Sequence, residues 1–233
     1  MYQNASLYIS FDYESFSEKP SFVFNNLTAE NQCPSILSTG FCCQDAECHV
    51  GDISSDCLVG GGGGGGGGST CPNGILISFW YLFGGEDHLP GNTVDTDEIV
   101  VLKAGHLQMS VRYEVGAEPT VTTATGYIQW KESTCKYSFS VPVKSWVHAQ
   151  VLLKDNTMEL FFNGKPLTNV ESACQLDSLP STSTSNRLVV GYLTIDEFSM
   201  FPWIEGIPDL YSTLITGEMI SILLKMFLVL DEK

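Results

Sequence analysis

The chain has 233 residues, 43% of them hydrophobic, enough for one substantial core. Only 11 lysines and arginines stand against 27 aspartates and glutamates, for a net charge of −16. Such a balance repels a phosphate backbone and an anionic membrane, which argues against nucleic acid as a partner and favours cations and basic surfaces.

In chain order, residues 6–12, "SLYISFD", alternate in the manner of a strand, and residues 21–24, "SFVF", make a second short one. From 31 to 73 the pattern gives way to Cys, Gly, Ser and Asp, including nine consecutive glycines at 60–68. This segment has too few apolar residues for a core of its own, so crosslinks are expected to hold it as a cysteine- and glycine-rich surface insertion. "GILISFWYLFG" at 74–84 suits a buried strand, being β-branched and aromatic between glycines. "DEIVVLKAG" and "HLQMSVRYEV" follow, the latter with Leu107, Met109, Val111 and Tyr113 on one face. After "TGYIQWKE" and "KYSFSVPV", residues 145–167 make two alternating runs split by "KDNT" and closed by Asn163-Gly164, a tight-turn pair. "RLVVGYLTIDEFSMF" supplies the last pair of strands. Many short strands with turns every 8 to 12 residues predict an all-β antiparallel sandwich or jelly roll, with one short helix within 207–230. The apolar run "MISILLKMFLVL" at 219–230 is 12 residues long and holds Lys225, whereas a bilayer span needs about 20 residues.

Eight cysteines, Cys33, Cys42, Cys43, Cys48, Cys57, Cys71, Cys135 and Cys174, point to disulfides and an oxidising compartment, since no paired C-x-x-C zinc spacing is present. Cys135 and Cys174 are the two beyond residue 71 and are expected to pair; Cys57 with Cys71 would close the glycine run. The other four, Cys33, Cys42, Cys43 and Cys48, would pair among themselves, though not Cys42 with its neighbour Cys43. Two N-glycosylation sequons, at Asn4 and Asn26, agree with an extracellular location, secreted or as the ectodomain of a membrane protein. The start "MYQNASLYISFDYES" lacks the basic and apolar segments of a secretion signal, so a secreted form is expected to be mature or trimmed.

Three stretches resemble the laminin G-like and pentraxin-like branch of the concanavalin A-like jelly rolls. "ILISFWYLFG" is similar to that family's strand ending in Phe-Trp, here Phe79 and Trp80. Trp146, His148, Leu160, Phe162, Asn163 and Gly164 match its Trp-x-His strand and Asn-Gly hairpin, and Ile195-Asp196-Glu197-Phe198 matches its closing strand. The resemblance covers residues 5–14 and 74 to about 215. It implies a single laminin G-like jelly roll over residues 1–230 and a role in extracellular binding or adhesion within a larger protein, with a protein or glycan ligand. A soluble lectin or pentraxin-like recognition protein is the alternative. In the family pattern His148 is a structural strand residue.

The chemistry weighs toward binding and away from catalysis. A retaining glycosidase needs two carboxylates about 5–5.5 Å apart on one face. Asp95 and Asp97 precede their strand, and adjacent Asp196 and Glu197 are expected to diverge, Asp196 anchoring a turn and Glu197 solvated. Neither a G-x-S-x-G motif nor a histidine pattern supports a serine hydrolase. The sequence-based expectation is therefore a chain that is not an enzyme, with glycoside hydrolase as the weakest of three readings. Residues 86–98, "EDHLPGNTVDTDE", hold five acids and no basic residue. Calcium takes several oxygens from such a loop, so Asp87, Asp95, Asp97 and Glu98 are its candidate ligands, the plain alternative being a solvated acidic loop. Trp80, Trp146 and Phe162 are expected in the core; Trp130 and Trp203 near turns are candidates for partial exposure.

Overall fold

A computed structural model describes residues 7–9, 32–34, 39–52, 74–84, 98–112, 123–130, 135–154, 157–167, 174–175 and 187–202. Among these the chain is an antiparallel β-sandwich. The first strands are β1 (Leu7–Ile9), β2 (Gln32–Pro34), β3 (Thr39–Cys42), β4 (Cys48–Asp52) and β5 (Ile75–Leu82). Then come β6 (Glu98–Ala104), β7 (Leu107–Arg112), β8 (Thr123–Trp130), β9 (Lys136–Pro142) and β10 (Trp146–Lys154). The last are β11 (Thr157–Phe162), β12 (Lys165–Pro166), β13 (Cys174–Gln175), β14 (Arg187–Val190) and β15 (Thr194–Pro202).

One sheet runs β12-β11-β10-β5-β15-β3-β2, with β1 also on β15 and β13 on β11. The other runs β4-β14-β6-β7-β8-β9. The alternation read from the sequence sets the layers. Ile75, Ile77, Phe79, Tyr81, Val147, Ala149, Val151 and Leu153 project from the first sheet. They meet Leu107, Met109, Val111, Ile128, Phe139 and Val141 from the second in one core. Each fully buried large side chain of this kind contributes on the order of 1.5–3 kcal/mol. Tyr137 of β9 ties the layers together, its hydroxyl donating to the carbonyl of Met158 on β11.

The Asn163-Gly164 turn forms as expected. Both residues take positive φ, 49° and 75°, which suits the tight hairpin joining β11 to β12. One feature differs from expectation. The segment 31–73 is not wholly a surface insertion: β3 joins the first sheet, β4 joins the second, and Phe41, Cys43 and Val50 are buried in the core. Few apolar residues suffice there because each is placed against a core that other strands build. As expected of a buried strand, β5 is buried at every position from Ile75 to Tyr81, and β10 is likewise buried from Val147 to Leu153, so these two central strands are covered on both faces. Residues 21–24, the glycine run and the expected helix lie outside the described residues.

Candidate functional site

The outward face of the second sheet is polar and open. Because Leu107, Met109 and Val111 point into the core, Gln108, Ser110 and Arg112 of β7 point away from it. Register places Tyr127 beside Ser110 and Ser138, Gln129 beside Gln108 and Lys136, and Glu98 beside Arg112. At the centre, Glu98 accepts a hydrogen bond from the Ser110 hydroxyl and, at 2.7 Å, one from the Lys136 ammonium. Lys136 Nζ lies 4.3 Å from the centroid of the Tyr127 ring, within cation–π range. These side chains roof over Ser110, which is only 1% exposed although it faces outward. Burial alone would raise the Glu98 pKa. The hydrogen bonds from Lys136 and Ser110, with the charges of Lys136 and Arg112, outweigh that and hold the carboxyl below its usual range. Farther along the face Lys103 pairs with Glu47 at 2.6 Å and likewise lowers the Glu47 pKa. Amides, hydroxyls, a guanidinium, a fixed carboxylate and one aromatic ring thus share a single flat surface. That set can donate and accept many hydrogen bonds around one apolar stacking plate.

A second polar group lies on the opposite side of the molecule, on the far face of the first sheet. His148, Trp80 and Asp196 fall in one row across β10, β5 and β15. The His148 ring stacks on Trp80 at 4.7 Å, and its Nε2 shares a 2.8 Å hydrogen bond with Ser78 Oγ. Asn163 fixes the His148 backbone from the other side, its Oδ1 accepting from the His148 N–H at 3.0 Å while its own N–H donates to the His148 carbonyl at 2.9 Å. Burial lowers the His148 pKa to about 4, so the imidazole is neutral at physiological pH. Ser78, Trp80, His148, Gln150, Asp196 and Ser199 are all buried. These groups are a packed polar layer, in keeping with the structural role expected of His148.

The remaining candidates are placed as follows. Asp87, Asp95 and Asp97 lie outside the described residues, as do Cys57, Cys71, Trp203, Asn4 and Asn26. Glu98, the fourth candidate calcium ligand, opens β6 with its carboxylate engaged by Lys136 and Ser110. Among the described residues no three His, Cys, Asp or Glu side chains gather to hold a metal ion. Disulfides join Cys33 to Cys42 and Cys43 to Cys48. Cys135 is buried and disulfide-bonded, and no described cysteine is free.

Asp196 Oδ1 accepts the Glu197 N–H at 2.9 Å, in line with a turn-anchoring role. Glu197, expected to be solvated, is instead 6% exposed. A bulge between Asp196 and Ser199 puts Glu197 at φ 50°, so simple alternation does not apply there. Trp130 is 3% exposed because the alternation that buries Ile128 carries it inward too, against His106 at 5.7 Å. Trp80 is buried as expected, but on the face away from the core. The open face was missed. The signal for it was present in "TGYIQW" and "KYSFSVP", where every second residue is polar or Tyr127.

No protein-family model matches the chain, and no curated protein matches it. Among solved structures, the chain is similar to domain 4 of AbnA, a GH43 extracellular arabinanase from Geobacillus stearothermophilus, in complex with arabinotriose. Identity is 13% and the TM-score 0.44, over 85% of this chain and 92% of that one. It is similar to Trypanosoma rangeli sialidase in complex with the inhibitor DANA, at 10% identity and TM-score 0.46, over 82% of this chain and 29% of the sialidase. It is also similar to Caenorhabditis elegans galectin LEC-6, at 9% identity and TM-score 0.33, over 75% of this chain and 99% of that one. The chain therefore spans less than a third of the sialidase. All three likenesses are at 13% identity or less and at TM-scores below 0.5. They correct one expectation. The sequence argued against an enzyme, yet arabinanase and sialidase structures stand among the similar folds, so that exclusion does not hold.

Proposed function

We propose that the chain is an extracellular glycan-recognition module of the laminin G-like type, taking its ligand across the outward face of β6–β9. One observation carries this reading. Tyr127 lies on an open face beside Ser110 and Ser138, with Gln108, Gln129 and Lys136 in the next row. Sugars present hydroxyls around an apolar C–H face, and a ring bordered by planar hydrogen-bonding groups matches both features. Disulfides among Cys33, Cys42, Cys43 and Cys48 support the extracellular part, since such bonds persist in oxidising compartments. No helix among the described residues is long and apolar enough to cross a membrane. Placement within a larger adhesion or matrix protein, and calcium assistance through some of Asp87, Asp95, Asp97 and Glu98, belong to the proposal.

The test is a glycan array probed with the wild-type chain and with Tyr127→Ala, each with and without millimolar calcium. Tyr127 is half-buried at the surface, so its removal leaves the core intact. Binding that disappears in the variant at an unchanged melting temperature supports the reading. Binding that survives Tyr127→Ala undiminished sinks it.

A further inference from the structure

Two disulfides meet at neighbouring residues, Cys33–Cys42 and Cys43–Cys48, and they sit in different surroundings. Phe41 and Ile195 point into the core, so Cys42 and its register partner Thr194 point to the outer side of the first sheet, with Cys33 beside Gly40 on that same side. Cys33 and Cys42 are both half-buried. Cys43 is 1% exposed, and its backbone N–H donates to the Leu193 carbonyl at 3.1 Å. The closed loops, with sequence separations of 9 and 5, hardly rank the two bonds, because closure entropy grows only with the logarithm of length. Access and the stability of the leaving sulfur do rank them.

The surroundings of Cys33 suit a thiol as well as a disulfide. Its Sγ lies 3.9 Å from Thr194 Oγ1 and 3.8 Å from the Gly40 carbonyl oxygen. A thiolate of a dithiol reductant that attacks Cys42 Sγ forms a mixed disulfide there and expels Cys33 as a thiolate. The Thr194 hydroxyl is placed to donate to that leaving sulfur, which eases its departure. Once protonated, the Cys33 thiol can donate to Gly40. The second thiolate of the reductant then attacks the reductant's own sulfur in the mixed disulfide and releases Cys42. Two electrons and two protons pass to the protein, which ends with two thiols, while the reductant ends with an internal disulfide.

The consequence is local. β2 ends the row β15-β3-β2 and meets β3 over three residue pairs, one of them through Pro34, which has no N–H to donate. So short a hairpin arm does not hold itself in water. β3 keeps other anchors: Phe41 in the core, the pairs with Thr194 and Ile195, and the Cys43–Cys48 bond just beyond its end. We infer that Cys33–Cys42 is a reducible latch on the edge strand β2, opened by a dithiol, while Cys43–Cys48 stays as a fixed staple. Opening the latch frees β2 and bares the edge of β3 that it covers. This device does not depend on the glycan reading.

The experiment incubates the full chain with dithiothreitol over a graded concentration series, quenches in acid, alkylates the free thiols and maps them by mass spectrometry. Cys33 and Cys42 should be labelled together at a reductant concentration about tenfold below the one that labels Cys43 and Cys48. At that lower concentration, hydrogen exchange of the backbone amides of Thr39–Cys42 should rise while β5 and β10 stay protected, and reoxidation should reverse the rise. In Thr194→Val the concentration ratio should shrink, with Cys43–Cys48 as the reference within the same molecule. Labelling of all four cysteines together, or of Cys43 and Cys48 first, would overturn the latch, as would unchanged exchange at β3 once Cys33 and Cys42 are reduced. A ratio unchanged in Thr194→Val would overturn the part assigned to its hydroxyl.

Discussion

Acidification from about pH 7.5 to pH 4 should cost the fold about 3 kcal/mol through His148 alone. The imidazole sits against Trp80 with its Nε2 bonded to Ser78, and burial lowers its pKa from 6.5 to about 4. Each pKa step corresponds to about 1.4 kcal/mol between the two protonation states, so this fall amounts to roughly 3 kcal/mol. The sign follows from proton binding. Between pH 6.5 and 4 the unfolded chain takes up a proton that the folded chain refuses, so stability falls with pH over that window. Above 6.5 the contribution is fully present, and below 4 it is gone and the curve flattens.

The assay is urea unfolding at a series of pH values, followed by tryptophan fluorescence, for the wild type and for His148→Gln. Glutamine keeps a hydrogen-bonding atom toward Ser78 but does not titrate. Glu98 and Glu47, whose pKa values are lowered, also lose stability in acid, and they do so equally in both proteins. The difference between the two curves therefore isolates His148. The gap between variant and wild type should shift in the variant's favour by about 3 kcal/mol on going from pH 7.5 to 4. Parallel curves across that range would refute a buried, neutral His148.

Gly191→Ala should lower stability by about 1–3 kcal/mol, because a Cβ there would lie 2.1 Å from the backbone carbonyl oxygen of Ala46, which cannot swing aside. Thermal melting of the variant measures this, and an unchanged melting temperature would contradict the close approach. Replacing both Cys43 and Cys48 by serine opens a loop with a sequence separation of 5. Loop-closure entropy puts that loss at about 2 kcal/mol, readable from urea midpoints under non-reducing conditions. Non-reducing peptide mapping should recover a fragment joining Cys135 to Cys174. Cys135 is buried two residues before Tyr137, which bonds Met158, and Met158 is in register with Cys174. A fragment joining Cys135 to Cys57 or Cys71 would overturn that pairing.

Much of the sandwich was legible because strands announce themselves by period and punctuation. The runs over 74–84, 98–112, 123–130, 136–143, 146–162 and 187–201 all became strands, and Asn163-Gly164 made its turn. The failures share a cause. Glu197 was expected in water because Asp196 and Glu197 should diverge, but a bulge inserts Glu197 as an extra residue and both are buried. The segment from 31 to 73 looked like an addition because its apolar residues are sparse. Phe41 and Val50 show that a strand needs only one or two well-placed side chains when the core is already built.

The functional face was harder to see for a physical reason. Alternation says which residues share a face, but it does not say which face meets water. In β5, Ile75, Ile77 and Phe79 face the core and Leu76, Ser78 and Trp80 face the other way, and both sets are buried. In β8 and β9 the same kind of alternation leaves Tyr127, Gln129 and Lys136 at the surface. The aromatic residues expected near the surface were Trp130 and Trp203. Trp80 is spent on a buried histidine and Trp130 on the core, while a tyrosine holds the open position. The charge count misleads in the same direction. A net −16 suggests a cation-seeking surface, but the sum cannot show that Lys103, Arg112 and Lys136 share the outward face of one sheet. Of these, Lys136 lies over the Tyr127 ring, 4.3 Å from its centroid.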